Sequence, residues 1–528
     1  MSAAAISLNK KDASEIISSN PASGAEVGRV KNSSADDVNF AVRRAQAAQQ
    51  KWRQTSFKAR REIVLQAREI ILTEIEQIAR LISNEMGKPV TEAVSTEIAP
   101  VLGLMQYFAR NTEKLLEPQK INIGLFGLMG RFSKIIYQPL GVIGIISPWN
   151  YPLAIPLGEV TMALMAGNTV VLKPSELTPL VGLKIGEIFQ KAGLPEDVLQ
   201  IVTGDGRTGA ALVSAGVHKV MFTGSVETGK KIAAAAAQTL TPVVLELGGK
   251  DPMIVLADAN IEIAAQAAVW GAFANSGQTC ASVERCYVDE KIAPAFINKV
   301  VDLTKNLRQN LGDQANTEIS SMSSERQLEI VTRHVEDAVA RGAKVLIGGR
   351  RNGKFDGAFY EPTVLTNVDH SFKALREETF GPILPIMTFK TEAEAVELAN
   401  DSEFGLTASV WTNDLRRGQK IAQKIEAGTV TVNEVLYTHG IAQTPWGGVK
   451  KSGYGRTHGK LGLLELVTPQ HIHVNRFAFL PNLWWFDYST AADTLFQGFA
   501  RHFATGSMLK TSRLAPQIFK RLREKLRK

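Results

Sequence analysis

The sequence predicts an α/β fold built from two doubly wound domains. Short apolar, β-rich runs alternate with helical stretches from 141 to 247, and a second such series runs from about 250 to 445. Strands separated by helices pair in parallel through crossovers, which gives doubly wound sheets. The composition agrees. A chain of 528 residues, 45% hydrophobic and 21% charged, is ordinary globular material and long enough for two or three domains.

The elements follow in order. Residues 35–52 and 58–86 read as amphipathic helices, with Ala, Arg, Glu, Ile and Leu at helical spacing, and 90–116 continues the helical run. The pattern turns strand-like over 120–140, with Phe132-Ser-Lys-Ile-Ile-Tyr137 before Pro139-Leu-Gly141. Gly141–Ser147, Thr169–Lys173, Val198–Val202, Lys219–Thr223 and Pro242–Glu246 read as buried strands, with a helix near 178–192. The second series has strands at Arg285–Val288, Ala343–Ile347 and Gly428–Val432. Its helices lie near 260–274, 324–341 and 414–426. A boundary is placed near 247. The tail after 476 is different: Phe477–Tyr488 is aromatic, with Trp484-Trp485-Phe486 in a row, and 490–503 and 512–528 read as amphipathic helices.

Charge and cysteine usage exclude several classes. The formal net charge is +8. Residues 501–528 hold nine Lys and Arg against Glu524 alone, so residues 1–500 are formally neutral. The basicity belongs to the tail, and no body-wide nucleic-acid surface is expected. The cysteines are Cys280 and Cys286, too few for a disulfide framework or a four-cysteine zinc site, and no metal is expected. With no membrane-length apolar run and no export signal at Met1–Lys10, the expectation is a cytoplasmic protein.

Several motifs carry chemistry. Cys280 ends Phe273-Ala-Asn-Ser-Gly-Gln-Thr-Cys280, and Glu246 ends a strand before Gly248-Gly249. A thiol and a carboxylate so placed suggest a nucleophile and a base. Asn150, in Ser147-Pro-Trp-Asn-Tyr-Pro152, offers a neutral amide donor suited to an oxyanion hole. Gly204-Asp-Gly-Arg-Thr-Gly209 fits a dinucleotide turn, but no acidic residue follows at the end of the next strand. The loop Phe222-Thr-Gly-Ser-Val-Glu-Thr-Gly229 follows a strand and opens a helix, where Ser225 and backbone amides suit a pyrophosphate. Lys173 ends a strand before Pro174-Ser-Glu176. Glu176 suits ribose hydroxyls and would repel a 2′-phosphate, which favours NAD, with NADP still open. Glu378-Thr-Phe-Gly-Pro382 and the glycine-dense Pro445–Arg456 loop complete the set.

In order and spacing, Pro148–Pro152, Lys173–Glu176, Phe222–Ser225, Glu246–Gly249, Gly277–Cys280, Glu378–Pro382 and Pro445–Gly448 resemble the aldehyde dehydrogenase superfamily, over roughly residues 18–475. The resemblance implies an NAD-binding domain (1–119 and 141–247), a catalytic domain (248–445) and a small strand extension for oligomerisation (120–140 and 465–475). It implies a homodimer or homotetramer. Cys280 becomes the nucleophile, Glu246 the general base, and Asn150 with the Cys280 N–H the oxyanion hole. Lys173 and Glu176 hold the adenosine ribose, and Ser225 in the Gly224–Gly229 turn takes the pyrophosphate. Glu378 and Phe380 serve the nicotinamide end, and Trp149 also binds the cofactor. A hydrolytic base argues against transfer of the acyl group to coenzyme A.

Two departures stand out. Some members carry an acid after the arginine matching Arg456, where this chain has Thr457-His458. Gly158 stands where other members place an arginine or a tryptophan, which suggests a wider channel lined by Tyr151 and Trp446 and an apolar or long-chain aldehyde. The aromatic, basic tail (476–528) suggests docking on an anionic membrane. The alternatives are a succinate-semialdehyde type of enzyme, or a catalytically retired membrane-associated binding protein on the same fold.

Overall fold

The computed structural model describes residues 14–505 and 514–527. The first 13 residues of the expected first domain lie outside the described residues, as do Lys510, Arg513 and Lys528 of the basic tail. The chain forms two compact units. One joins the chain up to Leu116 to Gln138–Thr468, and the other joins Glu117–Tyr137 to Pro469–Lys528.

The first unit contains two sheets. The six-stranded sheet runs in the order Gly453–Tyr454, Val243–Glu246, Lys219–Thr223, Val142–Ile146, Thr169–Lys173, Leu199–Ile201. All its pairs are parallel except Gly453–Tyr454. The chain starts in the middle, builds toward Leu199–Ile201, then returns to add Lys219–Thr223 on the other side. That reversal opens a crevice at the carboxyl ends of the strands, where open α/β sheets bind ligands. Trp149 and Asn150, Lys173, Ser225 and Glu246 all follow or end strands of this sheet.

The seven-stranded sheet runs in the order Lys344–Ile347, Thr363–Thr366, Ile383–Phe389, Val283–Asp289, Asp251–Val255, Thr407–Trp411, Thr429–Val432. Only the Lys344–Ile347 edge is antiparallel. The expected boundary near 247 falls between the sheets, since Glu246 ends one and Asp251 begins the other. Cys286 is sealed in the core of this second sheet, fully buried among Met253, Val288 and Ile386.

Local chemistry explains the elements that position the site. The Ala35–Trp52 helix starts on a reciprocal cap between Ser34 and Asp37, and buries Val38, Ala41, Val42, Ala45 and Trp52. The expected helix 58–86 is two, Phe57–Thr73 and Ile75–Met86, because Glu74 at φ −104° leaves the helical region. Val90–Leu115 is continuous but includes a π-helical turn at Ala93–Ile98. Such turns often mark functional sites. The expected helix 414–426 closes early, at Leu415–Ala422.

The second unit carries a three-stranded sheet in the order Val467–Asn475, Arg131–Pro139, Gln119–Ile121. Residues 120–140 and 465–475, the expected strand extension, both contribute strands to this sheet, and a short helix, Leu125–Leu128, interrupts the first segment. Val467–Asn475 is an edge strand, exposed along most of its length. The helices Thr490–Thr505 and Ala515–Leu526 follow. The tail is not one basic face against one apolar face. Arg521 is buried and donates to the carbonyls of Leu483 and Trp485, at 3.2 and 3.0 Å. Ile518 and Leu522 pack on a small core of Leu125, Leu483, Leu495 and Phe499. Trp485, Phe486 and Phe519 stay exposed.

Candidate active site

Cys280 is delivered by a strained turn. The Ile261–Phe273 helix runs into Ala274–Gly277, where Asn275 and Ser276 adopt left-handed φ values of 56° and 54°. Left-handed non-glycine residues are uncommon and cluster where a surrounding structure holds them. The holding groups are on the page. Glu92 accepts the Asn275 N–H at 3.0 and 3.1 Å, and the Asn275 side chain donates to the carbonyls of Asn150 and Gln278, at 3.1 and 3.0 Å. Gly277 follows at φ 73°, and a Cβ there would lie 2.2 Å from the Gly381 carbonyl oxygen. Only glycine fits that approach.

Asn150 is fixed beside the same turn. One hydrogen of its amide donates to the Gln278 carbonyl at 3.1 Å, leaving the other for a substrate oxygen. Lys88 donates to the Asn150 carbonyl at 2.9 Å and to Glu97 at 2.7 Å, with both ionic side chains fully buried. The other Glu97 oxygen accepts the N–H groups of Leu153 and Ala154 at the start of the Ala154–Met165 helix. The ammonium also lies 3.9 Å from the Tyr151 ring centre. Lys88, Glu97 and Asn275 were not expected from sequence. Their partners are distant along the chain, and the only local sign is a glutamate within an apolar run before Ile98-Ala-Pro-Val-Leu.

Cys280 lies at the inner end of a cavity of about 170 Å3. Its walls include Tyr151, Ile155, Trp270, Leu436, Tyr437 and Trp446, and the lining includes no lysine or arginine. Tyr151 and Trp446 line it as expected. Gly158 does not, and a Cβ there would meet Leu104 at 3.4 Å, so the width of this channel is not set at Gly158. Burial, helped by Asp251, Glu378 and Glu246, pushes the Cys280 thiol above its ordinary range.

Behind Cys280 is a chamber of about 20 Å3, lined among others by Glu159, Glu246, His439, Trp446 and His458. Both oxygens of the Glu246 carboxylate are buried without a hydrogen-bond partner, as are one Glu159 oxygen and His458 Nε2. Burial, then the neighbouring Glu159, raises Glu246 well above the usual carboxylate range, against the pull of Arg456. Burial alone pushes Glu159 up to about 8.

The nicotinamide-side residues converge. Glu378 accepts the Gly249 N–H at 3.0 Å. Glu284 accepts the N–H groups of Thr379 and Phe380, each at 2.8 Å, and holds Lys250 at 2.5 Å. Phe380, at φ 54°, meets Trp149 edge to face with ring centres 5.4 Å apart. A Cβ on Gly249 would lie 2.3 Å from the Cys280 carbonyl oxygen, so this glycine lets the two loops meet. At the other end, Lys173 pairs with Glu176 at 3.2 Å, the lysine buried and the glutamate half exposed. Ser225 caps the Val226–Ala237 helix. Its hydroxyl accepts from the Thr228 N–H at 3.3 Å and donates to the Thr228 hydroxyl at 3.0 Å. The Gly224 N–H donates to the Glu246 carbonyl and the Gly229 N–H to the Ser225 carbonyl. These glycines therefore shape the turn.

The comparisons with known proteins agree with this geometry. The aldehyde dehydrogenase family model matches residues 8–472. The chain is 40% identical over 474 residues to the 4,4'-diapolycopene aldehyde oxidase of a Methylomonas species, covering 90% of this chain and 88% of that protein. It is 40% identical over 443 residues to a Mycobacterium bovis protein provisionally named an NADP-type succinate-semialdehyde dehydrogenase, covering 84% of this chain and 85% of the other. Among solved structures, the NAD-dependent aldehyde dehydrogenase of Sinorhizobium meliloti superposes with a TM-score of 0.85 at 37% identity, over 90% of this chain and 93% of that one.

Proposed function

The chain belongs to the aldehyde dehydrogenase family, and from that premise we propose that it oxidises an apolar aldehyde to its carboxylic acid, with NAD as the preferred acceptor. The observation that carries the substrate class is the channel. A wall of Tyr151, Ile155, Trp270, Leu436 and Trp446 without lysine or arginine gains from apolar surface and offers no lysine or arginine to a distal carboxylate. That argues against succinate semialdehyde.

Chemistry starts at Cys280, whose thiolate adds to the aldehyde carbon. Asn150 holds the developing oxyanion with its spare amide hydrogen, the Gln278 carbonyl keeps that amide in place, and the Lys88–Glu97 pair fixes the Asn150 backbone. Trp149, Glu378 and Phe380 bracket the place for a nicotinamide, and Lys173 with Glu176 suits the adenosine ribose. When bound there, the nicotinamide supplies the acceptor for the aldehyde hydride, which leaves the acyl group on Cys280 as a thioester. Glu246 then takes a proton from the water that releases the acid.

A homologous series from acetaldehyde to decanal, with succinate semialdehyde alongside, tests the reading. Each buried methylene is expected to raise kcat/KM about fourfold until the channel fills. A preference for succinate semialdehyde would sink the apolar assignment. For the cofactor, Glu176→Gln is expected to lower the NAD over NADP ratio of kcat/KM about tenfold, because a carboxylate near a 2′-phosphate repels it.

The second unit supports two further readings. The exposed Val467–Asn475 edge is a strand poised to pair with a second copy, since unpaired edges recruit strands. Light scattering on the eluting protein reads the assembly. Trp485, Phe486 and Phe519 stand exposed beside the exposed bases Lys520 and Arg523, a pairing suited to an anionic bilayer surface. No described helix is long and apolar enough to cross a membrane. Flotation with phosphatidylserine vesicles should carry the parent up and leave a Trp485→Ser, Phe486→Ser, Phe519→Ser variant behind. Equal flotation of both would remove this idea.

A further inference from the structure

Four buried polar atoms on three side chains face one chamber behind Cys280 and have no partner: both Glu246 oxygens, Glu159 Oε2 and His458 Nε2. Buried polar groups almost always have a hydrogen-bond partner, so a cluster of exceptions calls for a ligand or a task. The chamber measures about 20 Å3, room for a single water. It also opens on Cys280, where the acyl group is carried.

We infer that this chamber holds the water that hydrolyses the thioester, and that Glu159 and His458 position it and share its proton with Glu246. The inference rests on the aldehyde dehydrogenase reading above. One water gives a partner to each of the three side chains. Two carboxyl groups on one chamber resist ionising together, so the pair keeps one proton, and the state that hydrolyses the thioester is the one with that proton on Glu159. Protonated Glu159 donates to the water oxygen. The water donates one hydrogen to Glu246 and the other to His458 Nε2. His458 Nδ1 lies 2.9 Å from the Thr457 hydroxyl, and with Nδ1–H donating there Nε2 is the acceptor this scheme needs. The His458 backbone is held at φ 59°, and its buried ring lines the chamber.

The other charges facing the chamber fit. Arg456 is the cation acting on Glu246. His439, with its ring centre 4.6 Å from that of His458, is kept neutral by burial, as His458 is. Asp251 and Glu378 act on the Cys280 thiol. Thr457-His458 lacks the acid that some relatives carry after the arginine. Here the acid comes from the opposite wall, from Glu159 on the Ala154–Met165 helix.

The step balances without a redox partner. The water oxygen bonds to the acyl carbon, and its proton goes to Glu246. The C–S bond then breaks, its electron pair stays on sulfur, and the acid departs. The Cys280 thiolate regains a proton from the carboxyl pair, which returns to its singly protonated state.

A nitrophenyl ester tests this without cofactor, because it acylates Cys280 with a burst of nitrophenol and then reports hydrolysis as the steady rate. Glu159→Gln keeps a donor but removes the shared proton. The acid limb of its hydrolysis profile should move down by about one pH unit or more, with the burst near one per chain. Glu159→Leu and His458→Asn should keep the burst and slow hydrolysis about tenfold or more. A Glu159→Gln profile that superimposes on the parent's would overturn the inference, as would equal loss of burst and turnover in both Glu159→Gln and His458→Asn. Should Glu159→Leu fail to fold, the isosteric Gln variant decides alone. Failure of the parent to form NADH from any aldehyde would instead strike the functional reading, which the ester assay does not use.

Discussion

The two walls around Cys280 are built on opposite principles. On the Asn150 side the charged groups are tied. Lys88 holds Asn150, Glu97 holds Lys88 and caps a helix, and Glu92 holds Asn275. On the Glu246 side the carboxylate oxygens reach no protein donor. The difference matches two demands of the chemistry. An oxyanion needs donors fixed before it forms, because reorganising them would cost what they contribute. A base must take and release a proton, and a carboxylate tied by hydrogen bonds would be held ionised and weak.

That contrast can be tested from its pivot outward. Cys280→Ala, which removes what both walls serve, should cut aldehyde-dependent NADH formation about a millionfold, to background. On the open wall, Glu246→Gln should lower turnover by about 10²–10⁴ and leave a thioester that mass spectrometry of the intact chain detects on Cys280. On the tied wall, Asn150→Ala should cost about 10²–10³ in kcat with no trapped acyl group, because acylation itself is slowed. A trapped thioester in Asn150→Ala would erase the distinction. Lys88→Met strands a buried Glu97 and should destabilise the fold by about 3–5 kcal/mol in denaturant unfolding. The pH response is smallest and has a definite sign. Glu159, Asp251 and Glu378 are each raised to about 8 by burial. The folded chain then binds more protons than the unfolded one, so Tm should fall as pH rises from about 5 through 8. Turnover should rise with pH, because Glu246 and Cys280 are both held above their ordinary ranges and ionise only as the pH climbs.

The sequence was readable where one segment carries its own reason. Thr169–Lys173 and Lys219–Thr223 are short apolar strands, the first buried throughout and the second nearly so, and their observed limits match the reading. Cys280, Asn150, Glu246 and Glu378 sit in motifs whose order is informative, and they meet in one unit. What could not be read depends on contacts across the fold. Glu97 reaches Leu153, and Glu159 shares a chamber with His458, through pairings no local pattern announces. Gly158 taught the same lesson in reverse. Its position eight residues after Asn150 suggested a wider channel, yet it does not line the cavity and a Cβ there would meet Leu104.

The burial of Cys286 has a practical side. With that sulfur enclosed in the second sheet and Cys280 lining the channel, the chain presents a single accessible thiol. A small alkylating reagent therefore counts functional centres directly, one label for each chain, and lost activity should track label uptake in a straight line. An oxidant arriving by the same route has one address, and the damage it does there finds no second sulfur at the channel end to close a protective disulfide.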